Sequence, residues 1–316
     1  MTAPADASLV DSPQAWRRLL VTLVLMTVGA SGMYVVPVVL PAVQADFGVA
    51  RADASLPYTL LMIGFGVGGL FMGRLADRFG VAVPLGLGAA GLGLGFLAAA
   101  LSHNIWWFAV AHGLLIGLCG SSATFSPLLA DTSLWFVRRR GIAVAICASG
   151  NYLGGAVWPP IVQHFVEAVG WRQTYLGLAV FCSVTLLALA QLMRQRPPAL
   201  AAQPAMASGQ PAGSLPFGLK PGTALALLSV AGVSCCVAMS MPQVHIVAYC
   251  ADLGYGAARG AEMLSLMLAC GIVSRLISGA ICDRIGGLPG QRAARSTGHM
   301  RNASRCDGGG VARSSR

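Results

Sequence analysis

Eight stretches of this chain are apolar over lengths that suit a helical crossing of a lipid bilayer, and nothing constrains the fold more. They cover roughly residues 19–43, 56–75, 82–101, 105–130, 141–165, 172–193, 222–250 and 261–281. One crossing of the hydrocarbon core takes about 20 apolar residues as a helix. Inside lipid no water satisfies an open backbone, so the runs must be helical. Composition agrees: 10% of residues are charged and 56% hydrophobic, where soluble domains carry about 25% charged residues. The fold class expected is an all-α membrane protein.

The formal net charge of +10 raises nucleic acid as a partner. The bases cluster in short connections, however, with no Lys/Arg stripe interleaved with aromatics, so no nucleic-acid partner is expected. Eight of the nine cysteines lie in or at the ends of apolar runs, where cysteine packs as a small hydrophobe. The five histidines (His103, His112, His164, His245, His299) show no metal-ligand spacing. No metal and no cofactor is therefore expected.

Basic residues in short connections set the orientation. With the N-terminus in the cytoplasm, eleven bases fall on the cytoplasmic side: Arg17, Arg18, Arg74, Arg78, Arg138, Arg139, Arg140, Arg194, Arg196, Lys220 and Arg284. Three fall outside: Arg51, Arg172 and Arg259. The expectation is a multi-pass protein of the cell (inner) membrane with a cytoplasmic N-terminus. Residues 194–221, rich in Ala, Pro, Gln and Ser, read as a cytoplasmic linker. It divides six helices (1–193) from two (222–287).

Two turns repeat. "GRLADRFG" (Gly73 to Gly80) follows the second run, and "SGAICDRIGG" (Ser278 to Gly287) follows the eighth. In the third run, "GLGAAG" (Gly86 to Gly91) fits the dinucleotide fingerprint G-x-G-x-x-G. No strand precedes it, so it reads as a face of small residues that lets membrane helices approach, and "GFGVGG" (64–69) reads likewise.

Two such turns in corresponding positions, with six helices and then a linker, resemble the major facilitator superfamily. The Asp77 turn matches that family's loop motif at Gly73, Leu75, Ala76, Asp77, Arg78 and Gly80, while Val81 and Ala82 replace two bases. "WFVRRRGIAVAICASGNYLGG" (135–155), "GWRQTY" (170–175), "PQVHIVAYCADLG" (242–254) and "SRLISGAICDRIGG" (274–287) are similar to the monocarboxylate-transporter and oxalate/formate-antiporter branch. The resemblance implies a helical bundle, with a complete six-helix N-terminal half plus the first two helices of the second half. It implies secondary transport of small organic anions by alternating access, with a coupled proton or an exchanged anion, by a monomer. It also implies that the turns at Gly73, Arg74, Asp77, Arg78, Gly80 and at Gly279, Asp283, Arg284 gate the cycle. Two departures weaken proton coupling of the animal type: Gly271 stands where an acid would precede the helix-8 arginine, and Val38 follows Pro37 where a lysine is usual.

Arg275 is the sharpest single signal. It lies eight residues before Asp283, about 12 Å into a core about 30 Å thick. A guanidinium there needs a cavity or a partner, and its planar fork matches a carboxylate. The alternative is an arginine that snorkels to the headgroups. His245 and Tyr249 share a face of the seventh run just after Pro242, which should loosen the helix; they line the path or sit at the outer interface. Asn151, Tyr152 and Tyr34 are cavity lining or interhelical glue, and His112 is a weaker candidate. Asp131 is expected to pair with the basic loop Arg138, Arg139, Arg140.

After Gly287 the pattern stops. Residues 288–316 hold six arginines with clusters of Gly and Ser and no apolar run. By repeat symmetry four more helices should follow Asp283. The expectation is therefore a member truncated by a frameshift or premature stop, with an out-of-frame basic tail and inactive as written; the alternative is a genuine short tail. The rival readings are a facilitator for neutral solutes or drugs and, from another class, a non-transporting membrane sensor or membrane-embedded enzyme.

Overall fold

The computed structural model describes residues 10–195 and 221–285; the tail from 288 and most of the linker lie outside the described residues. The chain forms α1 (Pro13–Gly29), α2 (Ser31–Phe47), the short α3 (Arg51–Ala54), α4 (Leu56–Phe79), α5 (Ala82–Ala100) and α6 (Ile105–Val110). A π-helical stretch, Ala111–Ser121, leads into α7 (Ser126–Trp135), α8 (Arg140–Val169), α9 (Trp171–Leu192), α10 (Pro221–Asp252) and α11 (Ala257–Ile285). α1 runs into α2 as one span, and α6, the π-helical stretch and α7 make another. Eight spans result among the described residues, with no strand, where the eight apolar runs lie.

Local chemistry sets the helix ends. Pro13 starts α1, and the Ser12 hydroxyl accepts from Ala15 N at 3.3 Å, satisfying an otherwise orphan donor. Gly80 ends α4 at φ 85° and Gly170 ends α8 at φ 86°, a backbone region that favours glycine. These two glycines close the motifs "GRLADRFG" and "GWRQTY" on either side. Pro242 sits inside α10, which continues through it as helix.

Small residues draw the spans together. Gly64 and Gly68 of α4 face the backbone of Gly113 and Leu118. Gly88, Gly91 and Gly95 of α5 face Ala123, Cys119 and Ile116. Any Cβ at these positions would collide, whereas Gly66 and Gly86 face open space. The dinucleotide-like "GLGAAG" is thus a packing face. α11 packs most closely on α8 and next on α10.

Two polar clusters mark opposite ends of the bundle. At one end Asp11 accepts from Arg138 N, Gln14 donates to Gln195, and Asp283 meets the start of α8. At the other, Arg172 donates to Ala100 O (2.9 Å), Ser102 O (2.7 Å) and Asp46 (2.9 Å) while stacking on Trp171.

Candidate functional site

Arg275 lies in mid-helix on α11, and α8 supplies its partner. Its Cζ sits 4.4 Å from the Tyr152 ring centroid, and Nη2 donates to Tyr152 Oη at 3.4 Å. The Tyr152 hydroxyl donates in turn to Met239 Sδ at 3.3 Å. The Tyr152 ring also occupies the space that a Cβ at Gly271 would need. That gives the departure at this position a steric cause: an acid would displace the tyrosine that holds Arg275. Among the described residues no carboxylate bonds to Arg275. The guanidinium is only part-buried, so its remaining donors are open to a ligand.

On the adjacent turn of α8, Asn151 Nδ2 donates to Tyr34 Oη at 3.4 Å. Tyr34 is 2% exposed. Asn151 also borders a narrow cavity with Met26, Met33, Phe65 and Thr124. The structure therefore brings Arg275, Tyr152, Asn151 and Tyr34 together from three helices. His245 and Tyr249 stand apart. Both are exposed on α10, with no hydrogen bond among the described residues.

The two repeated turns differ. Asp283 Oδ1 accepts from Gly141 N at 2.7 Å and Oδ2 from Ile142 N at 2.8 Å, capping the first turn of α8. Charge-assisted bonds to a helix N-terminus are favourable. Gly279 lets this approach happen, because a Cβ there would collide with Ala145 and with Gly141 O. Asp77 lies on the last turn of α4 before Gly80, exposed like Arg74 and Arg78, and has no partner among the described residues. Gly73 faces open space and Arg284 closes α11. Arg138, Arg139 and Arg140 are exposed where α8 begins.

One expected pairing is corrected. Asp131 does not pair with Arg138, Arg139 or Arg140 but with Arg18: Nε to Oδ2 is 2.9 Å and Nη2 to Oδ1 3.1 Å. Both side chains are 7% exposed. Arg18 also donates to Met193 O at 3.4 Å and stacks 4.7 Å from Trp135. The three arginines lie beyond the span end in solvent, whereas Asp131 is buried and needs a buried counter-charge. Arg18 drew attention in the sequence only through the charge count, since no local spacing links positions 113 apart. His112 is structural: Nδ1 donates to Phe108 O at 2.8 Å and Nε2 accepts from Tyr175 Oη at 3.2 Å, inside an aromatic cluster. Among the described residues no group of His, Cys, Asp or Glu is arranged to hold a metal.

The model of the Major Facilitator Superfamily matches residues 9–296, and the chain belongs to that superfamily. The match runs past Gly287, where the resemblance in sequence was expected to end. The chain is 31% identical over 224 residues to the MFS-type transporter pytF of Aspergillus terreus, covering 70% of this chain and 72% of that protein. It is 28% identical over 184 residues to human monocarboxylate transporter 6, covering 57% and 36%. A third relative is the riboflavin transporter RibJ of Trypanosoma brucei brucei, 34% identical over 135 residues, covering 42% and 24%. Against the last two, the matched region is about a third and a quarter of the relative's length. The chain is a membrane protein of a transporter family and not an enzyme.

Proposed function

We propose that this chain binds and moves small organic anions of the monocarboxylate kind by alternating access. The observation that supports this most is Arg275: a part-buried guanidinium in mid-span, held by a tyrosine and, among the described residues, without a carboxylate partner. A carboxylate ligand supplies the missing charge bidentately. In this reading Tyr152, Asn151 and Tyr34 line the substrate path near it, His245 and Tyr249 line the approach, and the Asp77 and Asp283 turns gate it. The name of human monocarboxylate transporter 6 points the same way, while that of the riboflavin transporter RibJ keeps a facilitator for neutral solutes or drugs as the rival reading.

Binding of labelled lactate, pyruvate, formate and oxalate to the purified protein, with sugars, riboflavin and dyes as competitors, separates the two readings. Arg275→Leu should abolish carboxylate binding and Arg275→Lys weaken it, with the unfolding temperature unchanged. Undiminished binding by a well-folded Arg275→Leu protein would return this residue to a snorkelling role. His245→Ala should lower uptake only in part and alter its pH profile; an unaltered profile removes His245 from the path.

The arginine distribution supports an orientation in the inner membrane with the N-terminus and the 194–221 linker in the cytoplasm. In a cysteine-free background, an impermeant thiol reagent applied outside should label cysteines placed at Asp53 or Arg259. Labelling of the linker from outside would reverse the orientation.

A further inference from the structure

Arg138 and Arg139 take no part in the carboxylate site, yet they wall a second cavity at the end of the bundle. This cavity, of about 310 Å³, is lined by Asp11, Trp16, Arg138 and Arg139. Its frame is fixed. Asp11 adopts φ 54°, uncommon for a residue other than glycine, and its N–H donates to Trp135 O at 3.1 Å. Its Oδ2 accepts from Arg138 N at 3.0 Å, and its buried Oδ1 has no hydrogen-bond partner. Trp16 stands edge-on to Phe136, the ring centroids 5.1 Å apart. The Arg138 and Arg139 side chains are exposed and form no ion pair among the described residues.

We propose that this cavity holds the phosphodiester headgroup of an anionic phospholipid. Two guanidiniums and one carboxylate leave a net charge of +1, which one phosphodiester balances. The planar forks of Arg138 and Arg139 suit phosphate oxygens. What distinguishes a lipid from a free anion is the surface next to the cavity. Leu20 and Val24 follow Trp16 at four-residue steps on one face of α1, 60% and 45% exposed, and Val137 beside Arg138 is 61% exposed. This apolar track leads from the cavity along the span, where an acyl chain finds cover and a soluble anion gains nothing. Trp16 at the head of the track occupies the level at which headgroup meets hydrocarbon, and bases just outside a span attract anionic lipid.

The test uses the full chain purified in detergent and titrated with dioleoylphosphatidylglycerol, dioleoylphosphatidylcholine or inorganic phosphate. Native mass spectrometry counts retained lipid, and the unfolding temperature reports stabilisation. The phosphatidylglycerol should be retained in preference to the phosphatidylcholine by roughly thirtyfold, the expectation for two arginines near the surface. Arg138→Ala with Arg139→Ala should erase that preference, while Arg140→Ala, outside the cavity, should keep it. Arg139→Gln alone, on an exposed side chain, covers the case of a double variant that fails to fold, and should lose about fivefold. Leu20→Asn with Val24→Asn should weaken retention of both lipids. Equal retention of the two lipids, or an unchanged preference in the arginine variants, overturns the proposal. Stabilisation by inorganic phosphate as large as that by phosphatidylglycerol overturns it too, in favour of a free-anion site.

Discussion

The bundle from Pro13 to Leu192 and the pair α10–α11 come from the same kind of sequence but are held differently. The most apolar stretch of each span is 22% to 67% buried across the six spans of the bundle, against 14% and 17% in the last two. The bundle's polar pairs join its own helices: Arg18 with Asp131, His112 with Tyr175 and Trp158 Nε1 with Thr27 O at 2.7 Å within it, and Arg172 with Asp46 at its exposed end. On α11 the polar groups that matter reach across to α8, through Arg275 to Tyr152 and through Asp283 to Gly141 and Ile142. Buried polar pairs inside a bundle fix one arrangement. Contacts across a seam of glycines can be exchanged for a ligand or a different packing. The difference places the adaptable chemistry at the α8–α11 seam and the rigid chemistry in the six-span bundle.

The comparison breaks most severely at Asp131. Asp131→Ala strands Arg18 inside the bundle, and removing one partner of a buried pair costs about 3–5 kcal/mol. The unfolding temperature in detergent should fall sharply. Arg18→Met with Asp131→Leu should recover much of the loss, because an apolar pair of similar volume is well tolerated there. An Asp131→Ala protein as stable as the parent would mean that the pair does not hold the bundle.

A middle-sized effect tests the seam. Asp283→Ala removes both acceptors from the start of α8, a capping loss of about 1 kcal/mol. It should speed hydrogen exchange at the Gly141 and Ile142 amides while leaving global unfolding nearly unchanged, since the bundle keeps its own pairs. Uniform loss of protection through α8 would show instead that the seam and the bundle unfold as one unit.

Much of this was legible in the sequence for physical reasons. A run of apolar residues in lipid has one structural solution, so all eight spans lay where composition placed them. "GLGAAG" was legible because a phosphate-binding turn needs a strand before it and open backbone within it, and neither fits a 19-residue helix. Arg275 stood out because a base in mid-span must be explained by a partner or a cavity. The partner of Asp131 was not legible. Proximity in sequence favoured Arg138–Arg140, but burial selects a counter-charge at the same depth, and depth is a property of the packed bundle. Tyr152 was visible only as a polar residue on a helix. Its ring over Arg275 depends on Gly271, one turn away on another helix, and no local pattern records that fit. His245 and Tyr249 stand four residues apart on α10 and both are exposed, and their spacing does not say what lies opposite.

The smallest expected effect is the most diagnostic for the seam. Tyr152 touches Arg275 in two ways, a ring 4.4 Å from the guanidinium and a hydroxyl at the long distance of 3.4 Å. A hydrogen bond that long is near the limit of useful geometry, while a cation over an aromatic face contributes about 0.5–2 kcal/mol according to its solvation. Tyr152→Phe keeps the ring and should change carboxylate affinity by no more than about threefold, below the roughly 1 kcal/mol of an ordinary hydrogen bond. Tyr152→Leu removes the ring, frees Arg275 to swing toward the headgroups, and should weaken binding by roughly tenfold. Tyr152→Phe should unfold close to the parent temperature, whereas Tyr152→Leu, which truncates a ring of the buried core, should unfold somewhat lower. If Tyr152→Phe proved as damaging as Tyr152→Leu, the hydroxyl rather than the ring would be what fixes Arg275. The seam would then depend on a directional contact to Met239 and Arg275 rather than on stacking.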